Sequence, residues 1–229
     1  LHTWSLSVEW QFYLLYPILL RAGWKFKPTL HFLTILLVAI WLVSFGCNLV
    51  LSRTYPEYAF FMLPTRAWEM VSGGLLYTLG FQARLSSAGR TILQYLGLVL
   101  LAVTAFAYSS ELAWPSYWAA VPVAATVMVM AAQRDNRLLQ QGWLQWCGNV
   151  SYSLYLWHWP IWVGLHYYGF TDTATGILLG LVLTLLLAVA SYYGVAQPMR
   201  RRLAQSSVPK TLLVLVGMVV VVFVGAWTV

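Results

Sequence analysis

The chain has 229 residues, of which 61% are hydrophobic and only 8% are charged, and its mean hydropathy is +0.73. Soluble domains carry about 25% charged residues, so this composition excludes a soluble globular domain and predicts an integral membrane protein. The net charge of +7 does not indicate nucleic-acid binding, because the basic residues lie in short loops between apolar segments.

Eight apolar segments are each long enough to cross a bilayer as a helix, which takes roughly 17–25 residues. In chain order they are residues 3–20, 29–51, 65–82, 91–109, 116–132, 148–168, 173–196 and 211–229. The longest runs are apolar on every face, whereas the strands of a membrane barrel alternate. We therefore predict an all-α fold, a polytopic transmembrane bundle of about eight helices. Residues 1–203 form its main membrane domain, and residues 204–229 form a linker and an extra helix that leads outside.

The positions of the basic residues predict the topology. Of the thirteen lysines and arginines, eleven follow the odd-numbered segments, and only Arg53 and Arg66 lie in the alternate ones. Because positive charge collects on the cytoplasmic side, Leu1 and Val229 are both expected on the outer side. The chain begins at a leucine with no signal peptide and ends within an apolar segment, so we expect it to be a piece of a longer protein.

The first segment carries a carboxylate on a polar face. Ser5, Glu9, Tyr13 and Tyr16 share that face at helical spacing. Glu9 lies about 12 Å from the outer end, where a carboxylate must be neutral, paired or facing water. Two interpretations stay open, a catalytic acid or base and a structural hydrogen bond to another helix.

The third segment begins at Pro64 and carries both signs of charge. Arg66 and Glu69 are three residues apart and can form an ion pair. Gly73 continues the same face and, with Gly74, allows another helix to approach closely. Either Arg66 binds an anionic or sugar group while Glu69 fixes its orientation, or the pair only sets the depth of the helix.

The sixth segment places a histidine near the middle of a roughly 30 Å hydrocarbon core. Its polar face comprises Ser151, Tyr155, His158 and Trp162. Pro160 is expected to open the helix near Leu156, and polar groups beside a broken helix often form midplane sites. The alternative is a neutral histidine that one serine or tyrosine satisfies. No cluster of histidine and cysteine has ligand spacing, so no metal is expected.

Four long motifs resemble bacterial acyltransferase family 3. They are H-T-W-S-L-S-V-E-x-Q-F-Y from His2, L-P-T-R-A-W-E from Leu63, N-V-S-Y-S-L-Y-L-W-H-W-P from Asn149 and S-Y-Y-G-V-A-Q-P-M-R-R from Ser191. The resemblance implies a multi-pass enzyme of the bacterial inner membrane. Such enzymes transfer an acyl group, usually acetyl from cytoplasmic acetyl-CoA, to a hydroxyl of an extracytoplasmic glycan such as lipopolysaccharide or peptidoglycan.

The resemblance also implies roles for individual residues. Catalytic roles fall to Glu9 and His158. Substrate-binding roles fall to Ser5, Gln11, Arg66, Glu69, Ser151 and Tyr155. Acetyl-CoA is expected as the donor substrate, with no bound cofactor, and a fused periplasmic SGNH-type domain is a candidate partner.

Two positions depart from the family pattern. Trp10 stands where the family usually has a second glutamate, and Gln197 stands where it often has a glutamate before proline. Family members also carry upstream helices with arginines and a catalytic histidine, so this chain by itself is expected to be inactive.

Two other classes of function are compatible with the same residues. A proton-coupled transporter or flippase would use Glu9 and His158 as a relay beside a broken helix. A non-catalytic membrane anchor would use the polar residues only for helix packing.

Overall fold

A computed structural model describes residues 4–80, 85–108, 115–134, 136, 139–171 and 173–206. Every regular element among these residues is helical, which confirms the predicted all-α class. The α-helices are α1 (Trp4–Phe26), α2 (Leu30–Thr54), α3 (Pro56–Phe61), α4 (Leu63–Leu79), α5 (Ser87–Ala107), α6 (Ala120–Ala132), α7 (Gly142–Tyr167), α8 (Ala174–Ser191) and α9 (Gln197–Ala204). A 3₁₀ turn at Tyr117–Ala119 precedes α6, and a π-helical turn at Tyr192–Ala196 joins α8 to α9.

The chain divides into two compact units, Leu1–Asn136 and Arg137–Val229, called unit 1 and unit 2 below. Unit 1 contains α1 to α6, and unit 2 contains α7 to α9. The predicted boundary at residue 204 stays a prediction, because residues 207–229 and the eighth predicted helix lie outside the described residues.

Seven predicted segments overlap helices, but several boundaries differ. The first helix continues to Phe26 instead of ending at residue 20, and α7 begins at Gly142 instead of residue 148. An apolar run marks only the part of a helix that suits the hydrocarbon core, and backbone hydrogen bonds continue into polar residues beyond it. The short helices α3 and α9 lie in segments predicted as loops, and each has a proline in its first turn, where the missing N–H does no harm.

Three described helical segments are long and apolar enough to cross a membrane. They are Leu30–Thr54, Ser87–Ala107 and Ala174–Ala204. The first predicted segment is interrupted by Glu9, and the third by Arg66 and Glu69, which lowers their apolarity. The finer prediction of eight crossings stays a prediction.

The core of unit 1 joins α2 to α4 through buried polar groups. The Trp68 backbone N–H donates to Ser44 Oγ at 2.9 Å. With its amide oriented to satisfy all its neighbours, Asn48 accepts from the Trp68 indole N–H at 3.0 Å and donates to the Pro115 carbonyl at 2.8 Å. In lipid, interhelical hydrogen bonds and close packing replace the hydrophobic effect as the cause of helix association. These bonds fix the rotation of α4, and therefore which of its side chains face away from α2.

A glycine and an arginine hold α5 against α6. A Cβ on Gly97 would lie 2.7 Å from the Ala125 carbonyl oxygen, so only glycine allows this backbone contact. The Gln94 side chain donates to the Arg134 carbonyl at 3.0 Å, and the Arg134 guanidinium donates to the Ser87 carbonyl at 3.1 Å. The two helices therefore form a pair that is fixed at one end.

In unit 2, α7 and α8 pack as a hairpin. The short connection makes them antiparallel neighbours, and Gly169 turns the chain with a φ of 73°. A Cβ on Gly180 would lie 2.9 Å from Leu165 Cδ1, so α8 approaches α7 closely at this point. Every fourth residue of α8 is buried, as in a narrow packing stripe: Gly176, Gly180, Thr184 and Ala188.

Candidate functional site

A cavity of about 480 Å³ lies in unit 1 between α1, α4 and the segment of α6. Small-molecule sites measure roughly 300–1,000 Å³, so its size suits a ligand. Its lining comprises Phe12 and Tyr13 of α1, Glu69, Met70 and Gly73 of α4, and Ala119, Pro122, Val123, Thr126, Val127 and Met130 of the 3₁₀ turn and α6. Among these residues Glu69 is the one with a carboxylate, so the cavity is mostly apolar with a single charged group on its wall.

The Glu69 carboxylate is held by Arg66, as the sequence predicts. Arg66 Nη2 lies 2.9 Å from Glu69 Oε2, and Arg66 Nε donates to Glu69 Oε1 at 3.2 Å. Each side chain is 18% exposed. Two parallel hydrogen bonds fix a guanidinium and a carboxylate more rigidly than one contact does, so Arg66 holds the Glu69 carboxylate in a defined orientation at the cavity wall.

The local sequence of α4 explains this placement. Thr65 anchors the first turn, because its hydroxyl donates to the Ala59 and Met62 carbonyls at 2.7 Å each. Trp68, which is 1% exposed, turns into the core against α2. At about 100° per residue, Glu69 and Gly73 lie on an adjoining face of the helix. Burial of Trp68 therefore directs Glu69 towards the cavity.

The polar face predicted for α1 is turned towards α4 over part of its length. Tyr13 lines the cavity, and the Tyr16 hydroxyl lies against Gly74, where a Cβ would overlap it. The space that Gly74 leaves is thus occupied by the Tyr16 side chain and not by the backbone of another helix. Glu9 lies one turn before Tyr13 but is exposed on the surface of unit 1 and does not line the cavity.

Other predicted residues of α1 lie outside the cavity as well. Ser5 is half-buried, Gln11 is exposed, and Trp10 is exposed over 55% of its surface. None of the three contributes to the cavity wall. The predicted roles of Ser5 and Gln11 in substrate binding stay predictions.

A second cavity lies on another side of α4, with a volume of about 370 Å³. It is bounded by α2, α4 and α6, and Trp41 donates to Ser72 Oγ on its wall at 2.9 Å. No charged side chain belongs to the described lining of this second cavity. The first cavity is therefore the better candidate for a chemical site.

His158, the predicted site histidine of unit 2, is half-buried on α7. Its Nδ1 lies 3.3 Å from the Leu154 carbonyl, and its ring centroid lies 5.6 Å from that of Tyr155. Ser151 is exposed, and its hydroxyl donates to the Gly148 carbonyl at 2.8 Å. The predicted face thus brings Tyr155 beside His158, while Ser151 bonds to its own helix.

The predicted break of α7 beside Pro160 is wrong, although the missing N–H of Pro160 does remove the backbone bond to Leu156. Helix α7 is continuous from Gly142 to Tyr167 with Pro160 inside it. Proline removes one donor from the ladder, but the hydrogen bonds on both sides can hold the helix together, and α1 likewise continues through Pro17. A broken-helix site of the kind predicted here is therefore not present in α7.

The comparison with known families decides the identity of the domain. The model of the acyltransferase domain of acyltransferase family 3 matches residues 1–193. The chain belongs to acyltransferase family 3. This confirms the resemblance inferred from the four motifs.

Several members of this family resemble the chain at the level of sequence. The peptidoglycan O-acetyltransferase OatA of Listeria monocytogenes is 28% identical over 69% of the chain and 28% of its own length. The O-acetyltransferase OatA of Staphylococcus aureus is 27% identical over 88% of the chain and 36% of its own length. BcsY of Komagataeibacter xylinus, which carries a provisional name as a membrane-bound transacylase, is 27% identical over 84% of the chain and 49% of its own length. The chain thus spans about half the length of these relatives or less, and no solved structure matches it.

The four motifs of the acyltransferase family 3 chain lie on distinct elements. The described part of the first motif, from Trp4, lies on α1, and the second and third motifs lie on α4 and α7. The fourth spans the π-helical turn at Tyr192–Ala196 and the start of α9 at Gln197. Hydropathy carries no signal for such a turn, so sequence reasoning missed it. Single π-helical turns are frequent at functional sites, which makes this turn a further candidate element of the family domain.

Proposed function

We propose that the protein is the membrane part of an O-acyltransferase that moves an acyl group, acetyl in the simplest case, from cytoplasmic acyl-CoA to a hydroxyl of an extracytoplasmic glycan. The observation that carries this proposal is Glu69 on the wall of a ligand-sized cavity, where Arg66 holds its carboxylate, inside the segment that matches the family. The glycan acceptor is supported by the names of the two OatA relatives, one of which specifies peptidoglycan.

The proposed topology has about eight crossings of the bacterial inner membrane, with Leu1 and Val229 outside. The excess of basic residues after odd-numbered segments supports this orientation. Arg200, Arg201 and Arg202 then lie on the cytoplasmic side, where arginines can bind the phosphates of the CoA moiety. The acyl group passes through the bundle towards the outer acceptor. In a protein with a fused SGNH-type domain, that domain would receive the acyl group.

The chemistry is acyl transfer to an alcohol. The acceptor oxygen attacks the thioester carbonyl carbon, a C–O bond forms, the C–S bond breaks, and CoA leaves as the thiol. One of Glu9 and His158 is proposed as the base that takes the single acceptor proton, a role worth roughly 10²–10⁴ in rate, and the other as the relay that returns this proton to the departing CoA sulfur. Arg66 is proposed to bind the acceptor sugar while Glu69 fixes its guanidinium. Ser5, Gln11, Ser151 and Tyr155 are proposed to contribute polar contacts to the substrates.

Matched substitutions test the proposal in the full-length protein. Inverted membrane vesicles receive radiolabelled acetyl-CoA outside and peptidoglycan oligosaccharides inside, and ester-linked label on the oligosaccharides is measured. Glu9→Gln and His158→Gln are each expected to lower kcat at least about 100-fold. The controls Glu57→Gln on α3 and His166→Gln on α7 change the same residue types elsewhere, and we expect rates within about twofold of wild type.

Two outcomes would contradict the proposal. Label that never reaches the oligosaccharides in wild-type vesicles would exclude this acceptor class, and equal rates for all four variants would exclude Glu9 and His158 as the proton acceptors. Proton flux that depends on both residues but not on acyl-CoA would instead identify a transporter.

A further inference from the structure

We infer that the 480 Å³ cavity beside Glu69 holds the hydrocarbon part of the transferred acyl group, and that residue 73 limits the length of that chain. This inference rests on the proposed acyl transfer and adds a substrate class to it. It predicts that the protein accepts acyl groups much longer than acetyl.

The size of the cavity is the first observation. An apolar cavity of roughly 150 Å³ is enough to bind benzene, which has six carbon atoms. The cavity between α1, α4 and α6 has about three times that volume. An acetyl group, which has two carbon atoms, would contact only a small part of the apolar lining, whereas a longer hydrocarbon chain would remove more of that lining from contact with water.

The distribution of polarity is the second observation. Glu69 and its partner Arg66 lie beside one part of the cavity, whereas Met70, Val127 and Met130 line an apolar part. The phosphates of CoA and the hydroxyls of a sugar would lose their hydrogen bonds in the apolar part. A hydrocarbon chain would not, and its carbonyl end can stay beside the ion pair. The polarity of the cavity therefore matches an acyl group better than it matches the other parts of the substrates.

The packing of the helices shows which end of the cavity is polar and which is apolar. Asn48 forms hydrogen bonds both with the Trp68 indole and with the Pro115 carbonyl. The polypeptide therefore enters the α6 segment near the level of Trp68, next to Glu69. Further along both helices, a Cβ on Gly73 would lie 3.9 Å from Met130 Cε. The polar end is thus at Glu69, and the apolar end is at Gly73 and Met130.

Gly73 controls the free space at the apolar end. Its added Cβ would meet only Met130 Cε, at an ordinary contact distance, so a larger side chain would extend into the cavity. The neighbouring Gly74 differs, because the Tyr16 hydroxyl occupies the place of its Cβ. Methionine side chains adapt to ligands of different shape, which suits Met70 and Met130 to a chain of variable length.

A size scan at residue 73 tests the inference in full-length protein in native membranes. Transfer from acetyl-CoA and from octanoyl-CoA to peptidoglycan oligosaccharides is measured as kcat/KM, and the ratio of the two is compared. We expect Gly73→Leu to lower the octanoyl-to-acetyl ratio at least about tenfold, because the leucine side chain would occupy the apolar end of the cavity, which an octanoyl chain reaches from Glu69 and an acetyl group does not, and the loss of a single methylene contact in a hydrophobic pocket is worth roughly 10–200-fold. Gly73→Ala, which adds only the Cβ, is expected to lower the ratio less and serves if the leucine variant does not fold.

Gly46→Leu is the matched control. It makes the same substitution on α2, where an added Cβ has no atom within 4 Å, and it lies outside the cavity lining. The octanoyl-to-acetyl ratio should stay within about twofold of wild type. Wild-type protein that transfers acetyl but no octanoyl, or a ratio that Gly73→Leu and Gly73→Ala leave unchanged, would overturn the inference.

Photolabelling gives a readout that does not need turnover. A diazirine at the end of the octanoyl chain of octanoyl-CoA should label Met130 in wild-type protein, and Gly73→Leu should remove that label. Label found only outside α4 and α6 would overturn the inference. Label that is displaced by added phospholipid, but not by unlabelled octanoyl-CoA, would identify a lipid site and would also overturn it. Label at Met130 without transfer from any acyl-CoA would contradict the proposed function and leave the acyl cavity standing.

Discussion

The ion pair of unit 1 and the histidine of unit 2 are held by different kinds of contact. Arg66 and Glu69 bond to each other on α4, but the rotation of α4 is set by Ser44 and Asn48 on α2. His158 has the Leu154 carbonyl of its own helix beside its Nδ1.

This difference predicts which substitutions in each unit should change its stability or its candidate site. The orientation of the ion pair depends on residues that are distant in sequence, because helices in lipid associate through specific packing and hydrogen bonds. The contact of His158 with Leu154 depends on helix α7 itself. Substitutions in the core of unit 1 should therefore change both stability and the candidate site, whereas substitutions on the surface of α7 should change neither.

The largest expected effect is at the centre of unit 1. Trp68→Ala should lower the free energy of unfolding by about 3–5 kcal/mol, because it removes a buried indole and leaves a cavity between α2 and α4. The measurement is reversible unfolding of full-length protein in mixed detergent micelles. Trp143→Ala on α7, where the indole is 63% exposed, is the control and should have little effect. Equal losses for the two variants would contradict the proposed importance of the α2–α4 core.

The ion pair should give the next largest effect. Arg66→Met leaves the Glu69 carboxylate without its bidentate partner in a mostly buried position, and it should cost about 1.5–3 kcal/mol of stability. Adding Glu69→Gln should recover part of this loss, because the unpaired charge is then removed. A double-mutant cycle in the same unfolding assay measures the coupling. Strictly additive losses would show that the pair contributes no net interaction.

The hairpin of unit 2 should show a packing effect at one glycine. Gly180→Val forces a side chain against Leu165 and Trp162, and overpacking of this kind costs about 1–3 kcal/mol. Gly164→Val makes the same change on α7, where an added Cβ has no atom within 4 Å. We expect the first variant alone to lower the unfolding free energy clearly. The reverse order would contradict the observed packing of α8 on α7.

The smallest effect is expected at Ser151. Its hydroxyl is exposed and donates to the Gly148 carbonyl of its own helix, so Ser151→Ala should change stability by less than about 0.5 kcal/mol. The rate of acyl transfer by this variant tests the substrate-binding role that the motif predicts for Ser151. An unchanged rate would remove Ser151 from the substrate-binding residues, whereas a loss of transfer at unchanged stability would support its predicted role.

The sequence by itself determined the helical class, the order of the main helices, the Arg66–Glu69 pair and the family. These properties are local, because hydropathy, residue spacing along one helix and contiguous motifs all depend on residues that are close in the chain. The main local prediction that was wrong concerned Pro160, where the sequence indicates a helix break but α7 is continuous.

Only the tertiary structure decided the cavity, the two compact units and the position of Glu9 on the surface. The cavity wall combines residues from α1, α4 and α6 that are as far apart in sequence as Phe12 and Met130. Which faces of these helices meet depends on buried partners such as Asn48 and Gly74, and a hydropathy profile contains no information on such pairings. The physical reason is that membrane helices are apolar on nearly all sides, so packing rather than periodicity selects the faces that form a site.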